Sequence, residues 1–155
     1  GCDPLNPQAV YRLLDIKQRD PAKGLIFIAA DFKHLKPFLL HIKKKVKKRL
    51  AKTCPGPVTW LLPARPDCPV WLTGDHDTLA VRVTAHPVCR ALCQALQGPL
   101  VSTSANLNKK PPATHKLRVI KQFGQKLVDI LPCELGKLSK PTEIRTLKVI
   151  LVRAG

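Results

Sequence analysis

The chain reads as an α/β domain with a sheet flanked by helices, on three observations. Short apolar runs suited to buried strands, LIFIAA from Leu25, VTWLLPA from Val58 and TLAVRV from Thr78, alternate with stretches whose apolar residues recur at helical spacing. Pro7, Pro21, Pro55, Pro57 and Pro63 all fall at the edges or connectors of those segments, where a missing N–H does no damage. A length of 155 residues fits one domain with a sizeable core, so residues 1–155 are expected to form a single unit, with no internal repeat and no long linker.

Taken in order, Asn6 and Pro7 supply a cap and a first-turn proline, and Val10, Leu13, Leu14 and Ile16 predict a helix from Pro7 to Ile16. Pro21 then prevents further helix. Lys17 and Arg19, one residue apart, with Lys23 four beyond Arg19, suit a phosphate cradle; basic residues also favour a helix C-terminus for purely local reasons. LIFIAA is a buried strand, and Asp31 is expected to start a short helix through Leu40. The seven residues from Lys43 to Arg49 hold six cations, either an exposed helix or a mobile basic loop. Such a segment could meet RNA phosphates or simply be solvated, and no aromatic residue is interleaved to stack on bases.

Cys54-Pro-Gly-Pro breaks the chain before a strand from Val58 to Ala64, and a proline-rich connector runs through Pro69. Thr78 to Val83 forms a strand with Arg82 near its end, where burial demands an anionic partner, a ligand or an internal acid. His86 to Leu96 has helical pattern. Thr114 is expected to cap a helix that runs through Phe123 and ends at Gly124. KLVDILP from Lys126 then predicts another strand, and PTEIRTLKVILVRAG ends as a strand carrying Arg153.

Charge is the outlier of the composition. Lys and Arg total 27 against 10 acids, a net +17 that favours polyanions such as RNA, DNA or nucleotides as partners. Six cysteines form no C-x-x-C pair, which suits free thiols in a reducing cytoplasm and predicts no structural metal. Cys89 and Cys93, four apart on one helix, suit buried thiols better than metal ligands. No apolar run approaches the ~18 residues that suggest a membrane span.

The stretch from Pro99 to Thr114, PLVSTSANLNKKPPAT, changes abruptly from a strand-like run to Ser102, Thr103, Ser104, Ala105 and Asn106. Small hydroxyl and amide side chains just after a strand suit a ligand site, and equally a local turn. STSAN followed by Lys-Pro-Pro resembles the S-x-N signature of the YrdC-like (TsaC-type) threonylcarbamoyl-AMP synthases. The resemblance covers the whole chain: GCDP from Gly1, LLDIKQRDPAKGLIFIAADF from Leu13, PGPVTWLLPA from Pro55, LAVRVTAHP from Leu79 and PTEIR from Pro141.

The resemblance implies an open, twisted mixed sheet with a basic concave face. It also implies conversion of L-threonine, bicarbonate and ATP, with Mg2+, to threonylcarbamoyl-AMP and diphosphate in the cytoplasm. Partner proteins would pass the threonylcarbamoyl group to tRNA, and direct tRNA or double-stranded RNA contact is open. By the family motifs Lys17, Arg19 and Lys23 would face phosphates or the carbamate, Arg82 would hold the threonine carboxylate, and Ser104 and Asn106 would orient threonine and nucleotide. Thr78, Thr114, Thr142 and Arg153 are carried over as further ligand contacts. No covalent nucleophile is expected, because no His/Asp partner pattern accompanies Ser102, Ser104 or a cysteine, and no side chain is expected to ligate a metal.

Family members begin with a strand and a Tyr-Pro-Thr-Glu turn ahead of GCDP; its lack here implies an N-terminally truncated short form. Cys54 stands where relatives tend to carry tryptophan. The alternatives to a synthase are an RNA-binding module of the same fold without chemistry, and a remnant with neither role.

Overall fold

The computed structural model describes residues 1–108, 110–131, 133, 141–147 and 151–153. Helix α1 (Pro7–Lys17) is capped by Asn6, whose side chain accepts from Ala9 N at 3.1 Å, and it ends where Gln18 takes a left-handed conformation. Strand β1 (Ile26–Ala29) follows a short 3-10 turn capped by Asp20. The helix expected from Asp31 through Leu40 is instead two 3-10 turns, Phe32–His34 and Lys36–Phe38. Pro37 forbids continuous α-helix there, and the broken path turns Leu35 and Leu39 inward.

The basic segment is helix α2 (Lys44–Ala51), held by Leu50, which is buried. Strands β2 (Val58–Pro63) and β3 (Thr78–Val83) lie where the sequence places them, and the short helix α3 (Val70–Thr73), which the sequence reading did not include, follows the expected connector directly after Pro69. Helix α4 (Pro87–Ala95), strand β4 (Leu100–Ser102) and helix α5 (Lys116–Phe123) follow. Thr114 does not cap α5: His115 occupies that position without a side-chain cap, and Thr114 Oγ1 lies 3.3 Å from His115 Nδ1 instead.

The strand expected from Lys126 is absent across the described residues of that stretch, where Val128 is 87% exposed. Asp129 bonds the backbone N–H of Ile130 at 2.7 Å, a local alternative to a ladder bond. The C-terminal segment is a pair of strands rather than one, β5 (Glu143–Thr146) antiparallel to β6 (Leu151–Arg153).

The sheet has six strands in the order β4-β1-β3-β2-β5-β6 and is mixed: β1 runs parallel to β3 and β2 parallel to β5, the other pairs antiparallel. Side chains alternate across it. Phe27, Trp60, Leu62, Leu79 and Val81 point to one face, where Val10 and Leu14 of α1, Leu50 of α2 and Leu72 of α3 complete the main core. Ile28 faces the other way and packs, with Ala30, on Cys93 of α4. The remainder of that second face is left open.

Candidate substrate pocket

A cavity of about 860 Å³ occupies the open face. Its floor is the alternate residue set of the strands, Ile26, Leu61, Thr78, Ala80, Arg82 and Ile144, all but Ile144 one position from a residue of the main core. Arg19, Lys23 and Gly24 form one rim. Thr73, the last residue of α3, and His76, from the loop that follows, lie beside them, and Ser102 at the end of β4 with Thr103, Ser104 and Asn106 beyond it line the adjoining edge. Thr142 completes the wall, its hydroxyl 3.2 Å from that of Thr59.

Two glycines make the first rim possible. Gly24 and Gly74 both have positive φ, +59° and +61°. A Cβ on Gly74 would lie 2.3 Å from Ala22 O and 2.6 Å from Gly24 N, and one on Gly24 would lie 2.6 Å from Thr73 O. The two backbones therefore meet in direct contact, tied by Leu25 N donating to Leu72 O at 2.9 Å and Asp75 N to Ala22 O at 3.0 Å. That contact sets Arg19 and Lys23 next to Thr73 and His76.

The site is cationic and has no carboxylate among its described lining residues. Arg19 donates from Nη2 to Gly24 O at 2.9 Å, while its buried Nε has no partner among the described residues. Arg82 Nε is likewise buried without a partner. Burial holds both guanidinium groups below their ordinary pKa, opposed by Asp20 at Arg19 and by Cys89 at Arg82. A buried cation with an unused donor is costly until an anion arrives.

Lys17 stands behind this surface rather than in its lining. It is 6% exposed, and its ammonium donates to Ser104 O and Asn106 O, and to Asn106 Oδ1 at 3.3 Å, with the Phe123 ring centroid 5.8 Å away. Burial, and next the charge of Arg19, lower its pKa to about 8. Ser104 Oγ donates to Asn106 Oδ1 at 2.5 Å and Asn106 Nδ2 to Lys110 O at 2.7 Å, so the loop is cross-braced. The two sequence pairs, K-x-R and S-x-N, thus meet directly.

Of the residues singled out from sequence, Arg19, Lys23, Thr78, Arg82, Ser104, Asn106 and Thr142 line the cavity. Lys17 braces its rim, Thr114 lies outside its lining, and the side chain of Arg153 lies outside the described residues, although its backbone pairs with Ile144. Sequence reasoning missed Thr73 and His76. The only available signal was a polar loop, GDHD, between two elements. Among the described residues no group of three His, Cys, Asp or Glu could hold a metal ion, and no helix is long and apolar enough to cross a membrane.

Over residues 1–155 the chain matches the Sua5/YciO/YrdC family model, described as telomere recombination. It is 53% identical over 145 residues to a threonylcarbamoyl-AMP synthase of Nitrosococcus oceani, covering 94% of this chain and 78% of that protein. A threonylcarbamoyl-AMP synthase of Coxiella burnetii is 46% identical over 145 residues, with the same two coverages, 94% and 78%. The P. abyssi Sua5 structure complexed with L-threonine superposes with a TM-score of 0.87 at 28% identity, covering 94% of this chain and 43% of that one. E. coli YciO, 24% identical with a TM-score of 0.79 over 99% of this chain and 76% of its own, shares the fold.

Proposed function

The chain belongs to the Sua5/YciO/YrdC family, and on that premise we propose that it is a threonylcarbamoyl-AMP synthase. L-Threonine, bicarbonate and ATP give threonylcarbamoyl-AMP, diphosphate and water, the product serving tRNA modification in the cytoplasm through partner proteins that transfer the group. Residues 1–155 act as one YrdC-like domain. The observation that carries the reading is the pair of half-buried arginines, Arg19 and Arg82, each with its Nε buried and without a partner among the described residues, in a cavity whose described lining offers no acid.

The threonine amine becomes a carbamate, whose oxygen attacks the α-phosphorus of ATP as diphosphate leaves. No covalent enzyme intermediate is needed, so the protein's part is to position reactants and neutralise charge. Arg19 and Lys23 share one rim and would take the phosphates and the carbamate, an anion that Arg binds through a planar fork and Lys as a mobile point charge. Arg82, on the floor, would take the threonine carboxylate. Ser104, Asn106, Thr78 and Thr142 offer hydroxyls and an amide to orient threonine and ribose, and Lys17 fixes the loop that carries two of them.

Magnesium fits as a companion of the triphosphate: the described lining has hydroxyls but no carboxylate, so phosphate oxygens would hold the ion and it would offset their charge. The test is diphosphate release from ATP and bicarbonate, with and without L-threonine. Threonine-dependent release that Arg82→Ala lowers about a hundredfold, with folding intact, is the expected result. Release that ignores threonine, or none from folded protein, overturns it and leaves a binding role without chemistry.

A further inference from the structure

His76 stands on the cavity rim with its backbone pinned on both sides. Asp75, just before it, donates its N–H to Ala22 O at 3.0 Å, and the carbonyl of Asp77, just after it, accepts from Ala64 N at 2.9 Å. Between those two anchors the imidazole lines the cavity beside Arg19, Lys23 and Thr73. A Cβ on Gly74 would meet Ala22 O at 2.3 Å and Gly24 N at 2.6 Å, the residues on either side of Lys23. Lys23 and His76, two residues past Gly74, therefore share one stretch of rim. Asp75 and Asp77 are exposed and stay out of the described lining, so neither carboxylate opposes an anion there.

Exposure is graded across the cationic groups. Arg82 on the floor and Arg19 are half-buried, whereas Lys23 and His76 are exposed. With threonine held at Arg82, the carbamate and the α-phosphorus it attacks must meet near the floor. The β- and γ-phosphates, which depart as diphosphate, then extend toward the exposed end of the rim. That end carries Lys23 and His76. An imidazole offers an N–H donor in either protonation state and adds a full charge when protonated, so it suits a polyanion that has to be held and then let go.

We infer that His76 binds the β- and γ-phosphates of ATP, and with them the diphosphate that leaves, an inference that rests on the synthase reading. Lys23 brings a mobile point charge to those oxygens. His76 brings a donor from a loop already fixed in place, so little ordering is left for the moment of binding. The contact exists before and during reaction alike, and it acts on affinity more than on the chemical step.

Inorganic diphosphate, AMP, ATP and L-threonine, the nucleotides and diphosphate with Mg2+, are titrated by calorimetry against the parent, His76→Phe, His76→Gln and His76→Arg, with melting temperature as the check on folding. His76→Phe should weaken diphosphate and ATP about tenfold, His76→Gln, which keeps a donor, about threefold, and His76→Arg should recover affinity to within about twofold of the parent. AMP and L-threonine should bind all four proteins alike. In steady state KM for ATP rises by the same factor in His76→Phe while kcat stays within about twofold. Parental diphosphate affinity in His76→Phe overturns the inference, and so do equal losses for AMP and diphosphate, which mark a distorted rim rather than a lost contact. The synthase reading is judged on the parent alone: diphosphate release that ignores L-threonine sinks that reading, whereas an active parent with an unaltered His76→Phe variant sinks only this one.

Discussion

The two faces of the sheet are built from the same strands and have opposite fates. Leu62, Leu79 and Val81 look into a closed core; their neighbours Leu61, Thr78, Ala80 and Arg82 look into the cavity. One residue of register separates packing from chemistry. The closed face is apolar at its centre, with the Glu143–Arg145 ion pair on β5 toward its edge, and covered by helices, whereas the open face mixes short apolar groups with hydroxyls and half-buried cations whose donors are not all used. The lesson is that stability and ligand binding can be assigned here strand position by strand position.

Substitutions can test that division, starting with the largest effect. Trp60→Ala removes a side chain that is 1% exposed and bonds Thr53 Oγ1 at 3.0 Å; it should cost about 3–5 kcal/mol by denaturant unfolding. A cost below about 1 kcal/mol would mean the covered face is not the main source of stability. Arg82→Ala should leave the unfolding midpoint unchanged or raised, since a half-buried cation whose buried Nε has no partner is lost. Its kcat/KM should fall about a hundredfold, about 2.7 kcal/mol of transition-state stabilisation. If Arg82→Ala instead unfolds the protein, the open face is also structural and the division fails.

Gly74→Ala probes the rim between the faces. With φ at +61° and backbone atoms at 2.3 and 2.6 Å from the new Cβ, it should cost on the order of 2 kcal/mol and separate Arg19 from Thr73, raising KM for ATP. The smallest effect concerns Lys17. Its folded pKa of about 8 lies below the usual lysine value of about 10.4 in an unfolded chain. Between those values the unfolded chain holds the proton that the folded chain has released, so unfolding free energy rises with pH across that window and levels off above it. Comparing urea midpoints from pH 7.5 to 10.5, Lys17→Met should lack that rise; an identical slope in the variant would show that Lys17 stays charged throughout.

Much of this was legible in the sequence because strands announce themselves through apolar runs bounded by proline and glycine. β2 and β3 lie where VTWLLPA and TLAVRV predict, and α1 begins at the Asn6–Pro7 signal. KLVDILP misled because its composition suits a strand while Asp129 satisfies the backbone locally. The segment from Asp31 misled because Pro37 was allowed inside a helix. In the cavity, Arg19, Arg82, Ser104 and Asn106 stood out as charges or amides beside apolar runs. His76 and the Gly24–Gly74 contact did not, since nothing in either local stretch reveals that the other will be pressed against it.

The strand order has a consequence for how the protein is made. β1 sits between β3 and β4, and β2 between β3 and β5, so the central pairings join Ile26 to Ala80 and Val58 to Glu143. During translation the first half of the chain leaves the ribosome with its sheet partners still unmade, and the cavity floor closes only when β5 arrives. Long-range parallel pairing of this kind folds slowly and leaves strand edges bare meanwhile. A nascent chain halted before Thr142 would therefore carry Arg19 and Arg82 without the wall that completes their pocket.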